Sequence, residues 1–149
     1  MITYVCGFYF NEDATEVALI RKNRPEWQAG KLNGIGGKVI KGEAIWYSMM
    51  REFREEAGVY TDHTKWTWFS NEGIPDEWLC YFFYATGDLS KVKTMTDEEI
   101  EIHKVDDIFT LPVIENLKTL IPFAAGQIDP YSKYNEDWAE ELKERGELV

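Results

Sequence analysis

The sequence predicts one α+β domain, on three observations. Segments rich in Val, Ile, Tyr and Phe alternate with two stretches of helical periodicity, in the order strands, helix, strands, helix. No internal repeat, low-complexity tract or linker divides the chain, so 1–149 reads as a single domain. Of its residues 44% are apolar and 15% aromatic, enough to fill a core, which excludes disordered and fibrous classes.

Residues 2–10 and 16–21 carry the β-forming side chains, and Asn11-Glu12-Asp13 between them supplies a turn, so the chain opens with a hairpin. From Arg21 to Lys31 it is polar and broken by Pro25 and Gly30, a surface loop. Leu32 to Ile40 is punctuated by Gly34, Gly36 and Gly37 and reads as short strand and tight backbone. A helix fits 44–57, because Ile45, Met49, Phe53 and Ala57 recur at i+4 as one apolar stripe, and Gly58 caps it. Strands follow at Lys65–Phe69 and Trp78–Ala85. Residues 86–99 form a polar loop ending in Asp97-Glu98-Glu99, and Glu101–Val105 is a further strand. A second helix is expected over Val113–Phe123, started by Pro112. The tail from Gln127 sets seven acids against three bases, with an amphipathic helix near 135–145 as a packing or dimer element; the chain is expected to be a monomer or homodimer.

The formal charge of −11 argues against a nucleic-acid polymer as partner, since phosphate neutralisation needs clustered Lys and Arg. The apolar runs fall far short of the ~20 residues of a membrane span, and the acidic tail argues against a membrane surface. Residues 1–10 lack the basic start and small-residue cleavage site of a signal peptide and read as a core strand. Cys6 and Cys80 make no disulfide framework, which points to a reducing, cytoplasmic setting. His63 and His103, the two histidines, argue against a histidine-built metal site and are expected on the surface.

The chemistry concentrates in residues 37–59. Glu52, Glu55 and Glu56 stand at i, i+3 and i+4, so three carboxylates share one helix face although like charges at that spacing repel. Arg51 and Arg54 relieve part of that repulsion. An all-oxygen cluster suits a hard divalent cation such as Mg²⁺. The opposite stripe anchors the helix, while Gly36 and Gly37 permit close backbone approach, so a carbonyl there could join the acids. Residues alone thus point to metal-assisted hydrolysis of a phosphate ester or anhydride; the alternative is a merely solvated acidic helix.

The spacing decides between them. Gly37, Glu43, Arg51, Glu52, Glu55, Glu56 and Gly58 fall in register with the Nudix box, Gly, five residues, Glu, seven residues, Arg-Glu-U-x-Glu-Glu-x-Gly-U, where U is apolar. Chance would place seven such positions roughly once in 10⁵ chains. Phe53 is an aromatic where an aliphatic is usual. The stretch Lys31–Val39 also resembles the approach to the box in MutT-type, oxidised-purine triphosphate pyrophosphohydrolases.

The resemblance implies the Nudix fold, a mixed β-sheet sandwiched between α-helices, and Mg²⁺ as cofactor with Mn²⁺ able to substitute. Carried over by position, Glu52, Glu55 and Glu56 with the Gly37 carbonyl would be metal ligands, Arg51 would orient Glu52, and Glu43 would brace the loop and helix. Glu98 is the foremost candidate for a distant acid serving as ligand or base, with Asp97 and Glu99 as rivals. Glu52 is the first choice of general base and the Asp97–Glu99 cluster the second. The partner would be a small nucleotide: a nucleoside diphosphate linked to X, foremost an oxidised or non-standard nucleoside triphosphate cleaved to monophosphate and pyrophosphate. ADP-ribose, a nucleotide sugar or a dinucleoside polyphosphate is the alternative, and a non-catalytic nucleotide-sensing module the second.

For phosphate contact the run Arg21-Lys22-Asn23-Arg24 offers Arg21 or Lys22, against a plainly solvated basic loop. Asn33 fits a base-contacting amide, which pairs in both senses, or a turn residue before Gly34. Asn116 is a second such candidate. The acidic pair that some oxidised-purine enzymes use has no counterpart in Leu111–Ile114. Among the tryptophans, Trp27 has the best claim to a nucleobase; Trp46 is expected to pack, and Trp66 and Trp68 to share one sheet face.

Overall fold

The computed structural model describes residues 1–131. The helix expected near 135–145, and Trp138 within it, lie outside the described residues. Strand β1 (Ile2–Phe10) is the spine of a seven-stranded mixed sheet. It pairs antiparallel with β2 (Glu16–Arg21) at Tyr9–Phe10, which is the expected hairpin. Through Tyr4–Gly7 it pairs antiparallel with β4 (Ile35–Lys38), and along its whole length it runs parallel to β6 (Trp78–Thr86). Strand β3 (Leu32–Asn33) and β7 (Ile100–Lys104) pair with β2, and β5 (Thr67–Ile74) pairs with β6.

Period-2 alternation along β1 sends side chains to two cores. Val5 and Tyr9 face helix α1 (Ile45–Ala57), where Met49, Phe53 and Ala57 are fully buried. Cys6, Phe8 and Phe10 face helix α2 (Leu117–Ile128), where Leu117, Ile121, Ala124 and Ala125 close the second core. The sheet is therefore sandwiched between helices, as the sequence predicts. The i+4 stripe of α1 is the buried stripe, and Gly58 ends it in the left-handed region (φ 71°), its N–H donating to the Arg54 carbonyl at 3.0 Å.

Two elements, α2 and β5, differ from expectation at both ends, and α2 runs on to Ile128, past the expected Phe123. Helix α2 begins at Leu117 rather than Val113, because the 112–114 backbone is held by Leu32: the Leu32 N–H donates to the Pro112 carbonyl at 2.8 Å and the Ile114 N–H to the Leu32 carbonyl at 3.0 Å. Strand β5 starts after a 3₁₀ turn, His63–Lys65, capped by the Asp62 carboxylate, and runs on through the polar Ser70–Gly73, because pairing with β6 satisfies that backbone. Trp66 precedes the strand and is buried, with its indole N–H donating to Thr61. Trp68 stands half in solvent, opposite Phe83 of the α1-side core and edge-on to Trp46 of α1, so Trp66 and Trp68 lie on the same, α1-facing side of the sheet. Trp46 packs edge-on against Phe83 and Trp68.

Candidate functional site

The local backbone explains why glycines precede α1. A Cβ on Gly36 would stand 1.9 Å from the Val5 carbonyl oxygen, so only glycine lets β4 lie this close to β1. A Cβ on Gly37 would stand 2.6 Å from the carboxylate of Glu52. The first acid of the helix face therefore rests directly on Gly37.

Arg51 organises the neighbouring acids. Its Nε donates to Glu43 Oε2 at 2.8 Å and its Nη2 to Glu43 Oε1 at 3.0 Å. Its Nη1 donates to Glu52 at 2.9 Å and to Glu55 at 3.2 Å, and Nη2 also reaches the Lys38 carbonyl at 3.1 Å. Glu43 in turn accepts the Ile40 N–H at 3.2 Å, tying the loop before the helix to its second turn. The Arg51 guanidinium holds the Glu43 carboxyl down at about 2.

The acids further along the face are electrostatically loaded. Burial raises Glu52 above the usual carboxylate range, against the pull of Arg51. Burial, then the Glu52 charge, pushes Glu56 up to about 7. Of the three acids at 97–99, Glu98 alone is buried, and its charge is felt at Glu56. It accepts from Lys22 Nζ at 2.9 Å and from the Asn23 N–H at 2.6 Å. Burial works against its ionisation, but the Asn23 N–H and Lys22 outweigh it and lower the carboxyl. Asp97 pairs in solvent with Arg24, and Glu99 is exposed.

On the α2 face of the sheet an open cleft of about 750 Å³ runs between the loop after β2 and the segment entering α2. Lys22, Trp27, Asn33, Asn116 and the Gly37 backbone all line it. Arg21 does not: its guanidinium is engaged by Glu101 and by the Gly30 carbonyl at 2.9 Å. Asn33 is fixed in orientation, its Oδ1 accepting from the Gly34 N–H at 2.8 Å and its Nδ2 donating to Gln28 at 3.0 Å. The sequence reading missed Glu72, whose carboxylate lines the cleft and accepts from Asn116 Nδ2 at 2.8 Å, and Trp78, which also lines it. Strand alternation carried no signal for either, since which strand lies beside β6, and in which register, is a non-local fact. Cys6 and Cys80 are free and buried at the cleft wall, and burial pushes the Cys80 thiol up to about 12.

The NUDIX domain family matches residues 3–129. The chain belongs to the Nudix hydrolase family. It is 30% identical over 105 residues to YvcI, an uncharacterized Nudix hydrolase of Bacillus subtilis (strain 168), a match covering 66% of this chain and 64% of YvcI. The chain thus spans a little under two thirds of that relative. In fold it is similar to a MutT structure from a study of the Aliivibrio salmonicida and Vibrio cholerae proteins (TM-score 0.71, 24% identity, 85% of this chain and 98% of that one). It is also similar to the Nudix domain of Shewanella oneidensis NrtR, solved with ADP-ribose (TM-score 0.72, 14% identity, 86% and 88% covered).

The Nudix box thus comprises the β4 edge, the loop carrying Glu43, and α1. Among the described residues no three carboxylates, cysteines or histidines are gathered into a ready metal cage, and none of their helices is long and apolar enough to cross a membrane. The donor set nevertheless fits a hard divalent cation. It is all oxygen, Glu52 and Glu56 are raised by burial and by their neighbours' charge, and the bare Gly37 backbone lies against Glu52.

Proposed function

We propose that this Nudix hydrolase is a divalent-cation-dependent pyrophosphohydrolase of nucleotides, with a nucleoside triphosphate, oxidised or non-standard forms included, as the foremost substrate and monophosphate plus pyrophosphate as products. The observation that carries the reading is the Glu52 carboxylate seated on Gly37 and steered by Arg51, at the β4 edge that also borders a nucleotide-sized cleft. Glu52, Glu55, Glu56 and the Gly37 carbonyl, with Glu98 within electrostatic reach of Glu56, are the residues that would hold Mg²⁺ or Mn²⁺. That ion supplies neutralisation of phosphate charge and a polarised water.

The chain's own residues do the rest. Glu52 takes the proton from the attacking water, with Glu98 as the second candidate. Arg51 fixes the direction in which Glu52 points, and Glu43 fixes Arg51. Lys22, anchored by Glu98 at the cleft wall, meets a phosphate oxygen; Arg21 is committed to Glu101. Asn33, Asn116 and Trp27 face the nucleoside. The free, buried cysteines fit a reducing cytoplasm.

A substrate panel with Mg²⁺ tests the reading: ordinary and oxidised nucleoside triphosphates, ADP-ribose, nucleotide sugars and dinucleoside polyphosphates, with products separated chromatographically. Pyrophosphate released from a triphosphate, lost in Glu56→Gln, is the expected result. Preference for ADP-ribose or a dinucleotide moves the substrate and keeps the box chemistry. Turnover of nothing returns the chain to a nucleotide-sensing module.

A further inference from the structure

One ammonium stands between the box acids, Glu98 and the cleft. Arg51 serves Glu43, Glu52 and Glu55, and the acids beyond its reach are met by Lys22. Its Nζ donates to Glu98 Oε1 at 2.9 Å, with the two side chains 19% and 7% exposed. The same charge acts on Glu56, which burial and the Glu52 carboxylate raise and Lys22 draws back. The Lys22 stem also lines the cleft.

Glu98 is held in place from two sides. Its Oε2 accepts from the Asn23 N–H at 2.6 Å and from the Arg24 N–H at 3.4 Å, and its own N–H donates to Thr96 Oγ1 at 3.2 Å. Turning Oε2 elsewhere would leave two backbone donors unpaired. Oε1 is therefore the oxygen that Glu98 has for a cation, and the ammonium is on it. A second cation there would stand beside the first, where like charges repel strongly in a half-buried site.

Lys22 has the freedom that Glu98 lacks. Its backbone is fixed, the N–H donating to the Lys31 carbonyl at 2.8 Å and the carbonyl accepting from the Gly30 N–H at 2.8 Å. Its side chain ends in a point charge on a flexible four-carbon stem, which can give up one hydrogen bond and make another without moving the chain.

We propose that Lys22 is an exchangeable counter-cation: its ammonium and the divalent ion compete for Glu98 Oε1, and the ion's arrival sends the ammonium into the cleft, where a phosphate oxygen takes it. The proposal rests on the metal-dependent reading above and adds this exchange to it. Ion and phosphate then strengthen each other's binding, because a phosphate that draws Lys22 away clears Oε1 for the ion.

Mn²⁺ binding to the protein alone, read by electron paramagnetic resonance, tests the exchange without turnover. Lys22→Met is expected to bind Mn²⁺ about fivefold or more tighter than wild type. Loss of any nearby positive charge favours a cation, so the deciding comparison is made in Glu98→Gln. In that background Lys22→Met is expected to change the affinity by less than about twofold. An equal gain in both backgrounds is a general field effect and overturns the competition, as does unchanged or weaker binding in Lys22→Met. In wild type, acetylation by acetic anhydride followed by peptide mass spectrometry reads how free the ammonium is. Labelling of Lys22, relative to the exposed Lys91, is expected to rise about threefold or more at saturating Mg²⁺. Unchanged labelling at saturating Mg²⁺ overturns the proposal whatever the variants do. A wild-type protein that binds no Mn²⁺ refutes the metal-dependent reading itself, whereas Mn²⁺ binding that is indifferent to Lys22 refutes the exchange and leaves that reading standing.

Discussion

Arg51 grips Glu43 with two parallel hydrogen bonds, Nε to Oε2 at 2.8 Å and Nη2 to Oε1 at 3.0 Å, and this fork joins the loop before α1 to the helix's second turn. The same guanidinium steers Glu52. Lysine offers a point charge in place of a fork. In Arg51→Lys the hydrolysis rate is expected to fall at least 100-fold with KM little changed, and stability to fall by about 2 kcal/mol, read from steady-state kinetics and denaturant melts.

Gly37→Ala tests the contact between β4 and the helix. The new methyl group would stand 2.6 Å from all three carboxylate atoms of Glu52, so the carboxylate must move. A displacement of about 1 Å at a catalytic group can cost 10²-fold, and kcat is expected to fall by that order while the thermal midpoint changes by only a few degrees. Wild-type kcat in Gly37→Ala would show that Glu52 does not act from this seat.

Phe53 is fully buried and meets Tyr9 at 4.6 Å and Trp66 at 5.1 Å between ring centroids. Phe53→Ala is expected to destabilise the protein by about 3–5 kcal/mol, whereas Phe53→Leu, which restores the aliphatic usual at this box position, costs about 1 kcal/mol. Chemical denaturation measures both. Activity per folded molecule in Phe53→Leu should stay within threefold of wild type.

Glu101 sets an acid limit to stability. The Arg21 guanidinium, helped by His103, holds its carboxyl at about 2, below the usual 4.5. A lowered folded-state value means that the stabilisation is complete above pH 4.5 and is lost as the pH falls from there toward 2. Glu101→Gln is expected to be about 1–2 kcal/mol less stable than wild type at pH 7, after allowance for solvent screening, with the difference vanishing near pH 2. Melts across pH 2–7 give the curve.

Removal of metal should silence hydrolysis without unfolding the protein, since both cores are built from apolar side chains and none of the box acids belongs to them. Dialysis against a chelator is expected to abolish hydrolysis and leave far-UV circular dichroism unchanged, with Mg²⁺ or Mn²⁺ restoring activity. Glu56→Gln should lose at least 100-fold in activity even at saturating Mg²⁺. Full activity in the chelated protein would overturn the box assignment.

The sequence was most legible where local chemistry sets structure. The strands 2–10 and 16–21 are where alternation and the Asn11 turn place them, and the i+4 stripe of Ile45, Met49, Phe53 and Ala57 is the buried face of α1. The Nudix box was readable because its residues are contiguous. Legibility ended where distant backbone decides. Pro112 opens no helix because Leu32 holds its carbonyl, and Arg21, indistinguishable from Lys22 as a string, is claimed by Glu101, 80 positions away. Glu72 sits in a polar run without pattern and enters the cleft only because β5 lies beside β6.

The parallel pairing of β1 with β6 also governs how the protein is made. Residues 2–10 find their neighbours at 78–86, so the central ladder closes a loop of some seventy residues containing all of α1. Loops of that span form slowly compared with a hairpin or a helix turn. During synthesis the hairpin of β1 and β2 can form early, with Phe8, Phe10 and Leu19 still uncovered. The box helix gains its full seat only when Phe83 and Ala85 have joined the core beneath it. The acids of α1 and the wall of the cleft are thus completed by one long-range event, and a nascent chain acquires both together.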